Sequence, residues 1–364
     1  MYLTAETLDD LLIKVYRQLL RKRGASDIKP TKGPATEISG VLLKIQNPRA
    51  RLSRTERKNT LFSCLGEFLW YVGGTDELRF VEYYIPRYKD FSDDGKTVFG
   101  AYGPRLFSLN GEINQVQNVI DTLKENPHSR RAVIQLFRGE DLAANIKQRH
   151  EDLPCTCTMQ FMVRGVALHM MVMMRSNDAF MGLPHDVFAF TMLQELIARS
   201  LGLEVGPYKH AVGSLHLYAT DVKAANDYIN EGMQERISMP VMPLGDQWAS
   251  IKRLLIAERA IRRGRRPSFH KLDPYWADLT RLLQVYRYSR VNAKGPQRRQ
   301  INSIRKQMAF DVYDTYIVKR ERRALPIAVL SERLLFDETE LDARQAGLRI
   351  QDSNQNLSPA PSKQ

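Results

Sequence analysis

Apolar residues near the start of the chain recur at helical spacing. Leu8, Leu11, Leu12, Val15 and Leu19 fall on one stripe, which predicts an amphipathic helix over 5–22 with acidic residues in its first turn. A strand-like run follows at 36–46. Residues 61–72 (LFSCLGEFLWYV) are apolar nearly all round and read as a buried helix stopped by Gly73-Gly74. RRAVIQLF at 130–137 is a short β-type run, and 161–176 reads as a hairpin turning at Arg164-Gly165. A strongly apolar helix is expected over 184–201 and a further strand over 213–219. From about 246 the pattern changes to basic helices with few β signals. These elements predict one α+β domain over 1–245, with 246–348 as a helical, basic extension of it. The polar stretch 349–364 reads as a disordered tail.

Composition narrows the classes. The chain has 364 residues, of which 43% are hydrophobic, enough for a sizeable core. No apolar run approaches the ~20 residues of a membrane span. The N-terminal helix lacks the apolar block and cleavage site of a signal peptide. Three cysteines do not make a disulfide framework, so the cytoplasm is the expected compartment. The net charge of +13 is densest over 252–323. It could mark a nucleic-acid surface, but no interleaved aromatic stacking pattern accompanies it. A solvated helical face with a general attraction for phosphorylated substrates is the simpler reading, and a nucleic-acid partner is not expected.

The richest chemistry lies in LPCTCTMQFMVRGVALHMMVMMRSNDAFMGLPHD, residues 153–186. Cys155 follows Pro154 and precedes a Thr-rich β-type segment. A lone cysteine is most often a small buried hydrophobe. Here Arg175, Arg130 and Arg131 are candidate cations to stabilise a thiolate, as a nucleophile requires. Cys157 would share a strand face with Cys155, but no second pair stands at ligand spacing, so no metal is expected. Arg130-Arg131 suits a phosphate, or an exposed strand start.

Six segments in one order resemble thymidylate synthase and its relatives, the pyrimidine-nucleotide hydroxymethylases: GEFLWYVGGT, GAYG, HSRRAV, PCTCTMQF, RSNDAFMGLP and LHLY. The resemblance spans about 30–220. It implies a mixed β-sheet packed by helices, a pyrimidine nucleoside monophosphate as substrate, 5,10-methylenetetrahydrofolate as cosubstrate, and a homodimer. It further implies that Cys155 adds to C6 of the base, that Glu67 organises water and moves protons, and that Tyr102 assists near C5. Arg175 and Ser176 would hold the phosphate, with Arg130 and Arg131 reaching the partner's site. Lys32 stands near a phosphate-binding position. His216 and Tyr218 would hold the sugar hydroxyl, while Asp178 and Gly182 would meet the folate. Thiolate addition at C6 makes C5 nucleophilic toward a one-carbon unit. The resulting exocyclic methylene then takes hydride to give a methyl group, or water to give a hydroxymethyl group.

Four departures from thymidylate synthase bear on that choice. The synthase has Asn where this chain has Asp186. An amide suits uracil's O4 and N3–H; a carboxyl accepts from cytosine's amino group and, when protonated, donates to N3. Asp186 could instead be a helix cap. His185 replaces a Phe beside the folate, where it could position water or simply lie exposed. Tyr88 stands near a Trp of the synthase site, and Thr156 replaces the His after the nucleophile. The synthase's short apolar C-terminal tail, which excludes water, is not visible. The expected activity is therefore 5-hydroxymethylation of CMP or dCMP, with Asp186 as base selector. The alternatives are a thymidylate synthase or a dUMP/UMP hydroxymethylase, and an inactive family member that binds nucleic acid.

Overall fold

A computed structural model describes residues 1–323 except 22, 23, 31, 57, 59 and 291–296. In chain order the elements are β1 (Tyr2–Ala5), α1 (Leu8–Leu20), β2 (Ser26–Ile28), β3 (Ala35–Ile45), α2 (Leu61–Val72), α3 (Leu78–Tyr84) and α4 (Tyr102–Phe107). Then come α5 (Gln115–Glu125), β4 (Val133–Gln135), α6 (Gly139–Lys147), β5 (Thr156–Arg164), β6 (Ala167–Asp178), α7 (Gly182–Ser200) and β7 (Glu204–Tyr218). The chain continues with α8 (Val222–Asn230), α9 (Trp248–Arg262), α10 (Pro274–Ser289), α11 (Arg298–Arg305) and α12 (Asp314–Arg323). The predicted tail over 349–364 and the end of the extension lie outside the described residues.

Seven strands form one mixed sheet in the order β1-β3-β7-β6-β5-β4, with β2 paired to β3. β6 and β7 are parallel, and β5–β6 and β3–β7 are antiparallel. The architecture is α+β, a mixed sheet packed by helices, as expected. A parallel pair needs a crossover, and α7 supplies it. This helix is buried nearly all round, which fits its apolar run. Its polar residues are therefore partnered: Gln194 donates to the carbonyls of Leu168 and Gly206, each at 2.8 Å, bridging the two strands it connects. Glu195 pairs with the buried Arg51.

β7 begins nine residues earlier than the expected strand at 213–219. Gly206-Pro207 reads as a strand break, yet the alternation of buried Tyr208, His210 and Val212 runs on past it. The hairpin turns at Gly165, whose φ of 58° belongs to the left-handed region. A bulge between Thr156 and Thr158 interrupts β5, and Cys155 lies ahead of the strand, so simple alternation does not place Cys155 and Cys157 on one face.

The described part of the basic extension packs on the catalytic core. Tyr286 stacks on Phe62 and donates to the Tyr83 carbonyl at 2.9 Å. Tyr84 donates to Glu258 at 2.9 Å, and Tyr316 to the Ser53 carbonyl at 2.8 Å. α10 and α12 thus cover the back of α2, the helix that carries Glu67.

Candidate active site

Three elements meet around Cys155: the start of β5, the end of β6 and the start of α7. The Arg175 backbone N–H donates to the Cys155 carbonyl at 2.8 Å. Its side chain donates from Nε to the Pro154 carbonyl at 3.0 Å and from Nη2 to that of Leu153 at 3.1 Å. Arg175 therefore clamps the loop that presents the half-buried thiol. Burial pushes the Cys155 thiol up to about 11, and the Arg175 charge is the chief force opposing it. In the free protein the sulfur is a thiol, not a thiolate.

Tyr102 opens α4, and its phenol accepts from Thr156 N at 3.1 Å and Thr156 Oγ1 at 3.0 Å. Two accepted bonds leave the phenolic proton free to donate. Thr156, where the synthase has His, is thus committed to Tyr102. Glu67 accepts from Tyr71 at 3.2 Å and from Tyr88 by a short bond. Tyr88 lies in the turn at 86–91, with its ring 5.3 Å from that of Trp70.

Asp186 is not the helix cap. It lies inside α7, 8% exposed, while the turn leading into the helix is held by Asp178 Oδ1, which accepts from Phe180 N at 2.8 Å and Met181 N at 3.0 Å. Asp186 Oδ2 accepts from Asn177 Nδ2 at 2.7 Å. Burial, reinforced by the charge of Glu67, raises its carboxyl far above the usual range; the Asn177 bond only partly offsets this. This environment favours the neutral acid form of Asp186 over the carboxylate. Gly182 permits this packing, because a Cβ there would stand 3.0 Å from Asn177 Nδ2 and 3.6 Å from Asp186 Oδ2.

Ser176 and Asp178 on β6 pair in register with Ser214 and His216 on β7. The His216 and Tyr218 rings meet edge to face at 5.0 Å. Lys32 stands at the rim, its ammonium 3.9 Å from the centre of the Phe91 ring, within charge range of Asp152 and Cys155. Arg130 and Arg131 are exposed and not brought to Cys155 within one chain. His185 has Nδ1 3.0 Å from the Met181 carbonyl and Nε2 3.0 Å from Ser63 Oγ, so both ring nitrogens are engaged by protein.

This gathering of cysteine, arginine, tyrosine and a buried acid coincides with a family match. The family model described as thymidylate synthase matches residues 17–261. The chain belongs to the thymidylate synthase family. A protein of Delftia phage PhiW-14 named deoxyuridylate hydroxymethyltransferase is 30% identical over 254 residues, covering 66% of this chain and 69% of that protein. Another of that name, from Pseudomonas phage M6, is 35% identical over 165 residues. That match covers 45% of this chain and only 46% of the relative's length.

Family membership brings folate-dependent one-carbon transfer to a pyrimidine C5, with methylenetetrahydrofolate as cosubstrate. The residues fit that group. Asp178 uses Oδ1 for the turn, which leaves Oδ2 to accept from the N–H groups of a pterin. Lys58, 3% exposed, lies 3.6 Å from the centre of the Phe180 ring; burial lowers its pKa to about 8 and the Asp178 charge opposes that. Among the described residues no group of three or more His, Cys, Asp or Glu could hold a metal ion, and no helix is long and apolar enough to cross a membrane.

Sequence reasoning missed several residues here. Asp152 adjoins the nucleophile loop, and burial raises its carboxyl to about 6 against the pull of Lys32 and Arg175. Asn177 falls at the unspecified position of the Arg-Ser-x-Asp motif. Lys58 lies in a polar stretch with no periodic signal. Tyr208 and His210 sit in the part of β7 hidden by Gly206-Pro207.

Proposed function

We propose that this chain transfers a one-carbon unit from methylenetetrahydrofolate to C5 of a cytosine nucleotide, CMP or dCMP, and adds water to give the 5-hydroxymethyl nucleotide. The single observation carrying this is Asp186, a buried carboxyl whose surroundings favour the neutral acid, at the position where the resemblance would put the base. A neutral acid can donate to N3 of cytosine and accept from its amino group. Donation to N3 also draws electrons from C6 as the thiolate adds.

Cys155 Sγ forms the bond to C6, aided by Arg175. Glu67, to which Tyr71 and Tyr88 donate, would accept the C5 proton and then orient water. The folate supplies a one-carbon unit at the formaldehyde level. Once C5 has bonded that unit, loss of the C5 proton and of tetrahydrofolate, unoxidised, would leave an exocyclic methylene; water would add to it and the Cys155–C6 bond would break. Tyr102 has a free phenolic proton to give near C5. Arg175, Ser176 and Lys32 would bind the phosphate, with Arg130 and Arg131 completing it from a second subunit of a homodimer. His216 and Tyr218 would bind the sugar. Asp178 and Gly182 would face the folate, and Tyr88 would form its polar wall. His185 would support that wall through Ser63. Residues 246–348 would belong to the same domain as 1–245.

A second reading has its own support. Both relatives carry the name deoxyuridylate hydroxymethyltransferase, and a neutral Asp186 can also donate to uracil O4 and accept from N3–H. The two readings separate on kcat/KM for cytosine and uracil nucleotides. The first predicts a preference for cytosine that Asp186→Asn lowers by about 10²-fold. A preference for uracil in the unsubstituted enzyme, unchanged in Asp186→Asn, would favour the second.

A further inference from the structure

Behind Asp186 runs a chain of buried polar groups. Tyr208 Oη lies 2.7 Å from His210 Nδ1, and His210 Nε2 lies 3.1 Å from Asn177 Oδ1. Asn177 Nδ2 then reaches Asp186 Oδ2 at 2.7 Å. Tyr208 and His210 are both fully buried, on the same face of β7. Asn177 comes from the neighbouring β6 and Asp186 from α7, so three elements are joined through one line of hydrogen bonds.

His210 is neutral. Burial pushes its pKa down to about 3. A neutral imidazole has one donor and one acceptor, so only two ordered arrangements satisfy the chain. In the first, the Tyr208 hydroxyl donates to Nδ1, Nε2–H donates to Asn177 Oδ1, and the Asn177 amide donates to Asp186 Oδ2. In the second every bond is reversed, the amide is flipped, and Asp186 Oδ2–H donates to Asn177.

The second arrangement leaves the Tyr208 proton without its partner in a fully buried place, which is costly. The first is therefore preferred. It makes Oδ2 an acceptor and leaves Oδ1, which nothing bonds among the described residues, as the oxygen to carry a proton on Asp186. A proton on Oδ1 suits N3 of cytosine, which has a lone pair, and opposes N3 of uracil, which carries hydrogen. Gly182 keeps the amide close, since a Cβ there would stand 3.0 Å from Asn177 Nδ2.

We propose that Tyr208 and His210 are positioning residues that determine base specificity: by fixing the His210 tautomer and the Asn177 amide, they hold Asp186 with its proton turned toward the base. This rests on the reading that Asp186 meets the base.

Two measurements on the full-length protein test it. Nitrogen-15 spectra of the histidine rings, with His210 identified by its loss in His210→Gln, should show Nε2–H and a bare Nδ1. An Nδ1–H tautomer would overturn the proposal without any kinetic variant. Tyr208→Phe should lower the cytosine-over-uracil ratio of kcat/KM by about tenfold, the scale of one ordinary hydrogen bond. A purely structural role would lower both activities together and leave the ratio unmoved, which also overturns it. If Asp186→Asn shifts the ratio while Tyr208→Phe does not, only the relay fails. If neither shifts it, the reading of Asp186 fails and the relay falls with it.

Discussion

At the residue scale, Cys155 is a nucleophile held in reserve. Its thiol lies at about 11 because burial outweighs Arg175. Alkylation of the free enzyme should therefore rise about tenfold per pH unit from pH 7 to 9; a plateau within that range would show that the thiolate is already formed. Asp152 opposes the thiolate by its charge, and its own carboxyl titrates at about 6. Asp152→Asn should speed alkylation at pH 8 several-fold, and a slower rate would mean that the carboxylate orients the loop instead. Cys155→Ser should abolish turnover while nucleotide binding, read by calorimetry, persists. Cys155, Arg175 and Asp186 were legible because each stands in a motif with its spacing intact. Asn177 and His210 were not, since their meaning comes from hydrogen bonds between β6, β7 and α7 that sequence order does not display.

At the element scale, close approach matters more than propensity. The helix at 61–72 was legible to the residue because its apolar run ends at Gly73-Gly74. Its contact with α3 was not, yet Gly66 makes that contact possible: a Cβ there would stand 2.1 Å from Tyr84 Cγ. Gly66→Ala should cost about 1–3 kcal/mol of stability, measured by the urea midpoint. Neutral behaviour would mean that α3 shifts freely. Gly182 plays the matching part at the start of α7. Gly182→Ala should lower kcat/KM by about tenfold or more with little change in melting temperature, because it displaces the Asn177–Asp186 pair rather than the core. Only the last part of β7 was legible, and with the rest of that strand the relay behind Asp186 was hidden too.

At the scale of the whole molecule, the mixed sheet brings the ends of β6 and β7 beside the nucleophile loop, and α10 and α12 brace α2 from behind. The charge of the extension, legible as a solvated face, conceals buried contacts such as Tyr286 on Phe62 and Tyr316 on Ser53. The most direct test of the proposed function uses the full chain with methylenetetrahydrofolate and each of CMP, dCMP, UMP and dUMP, with products read by mass. A gain of CH₂O on a cytosine nucleotide, with tetrahydrofolate released, is the predicted result and identifies the sugar at once. A gain of CH₂ on dUMP with dihydrofolate appearing, or a gain of CH₂O on uracil nucleotides alone, would contradict the account.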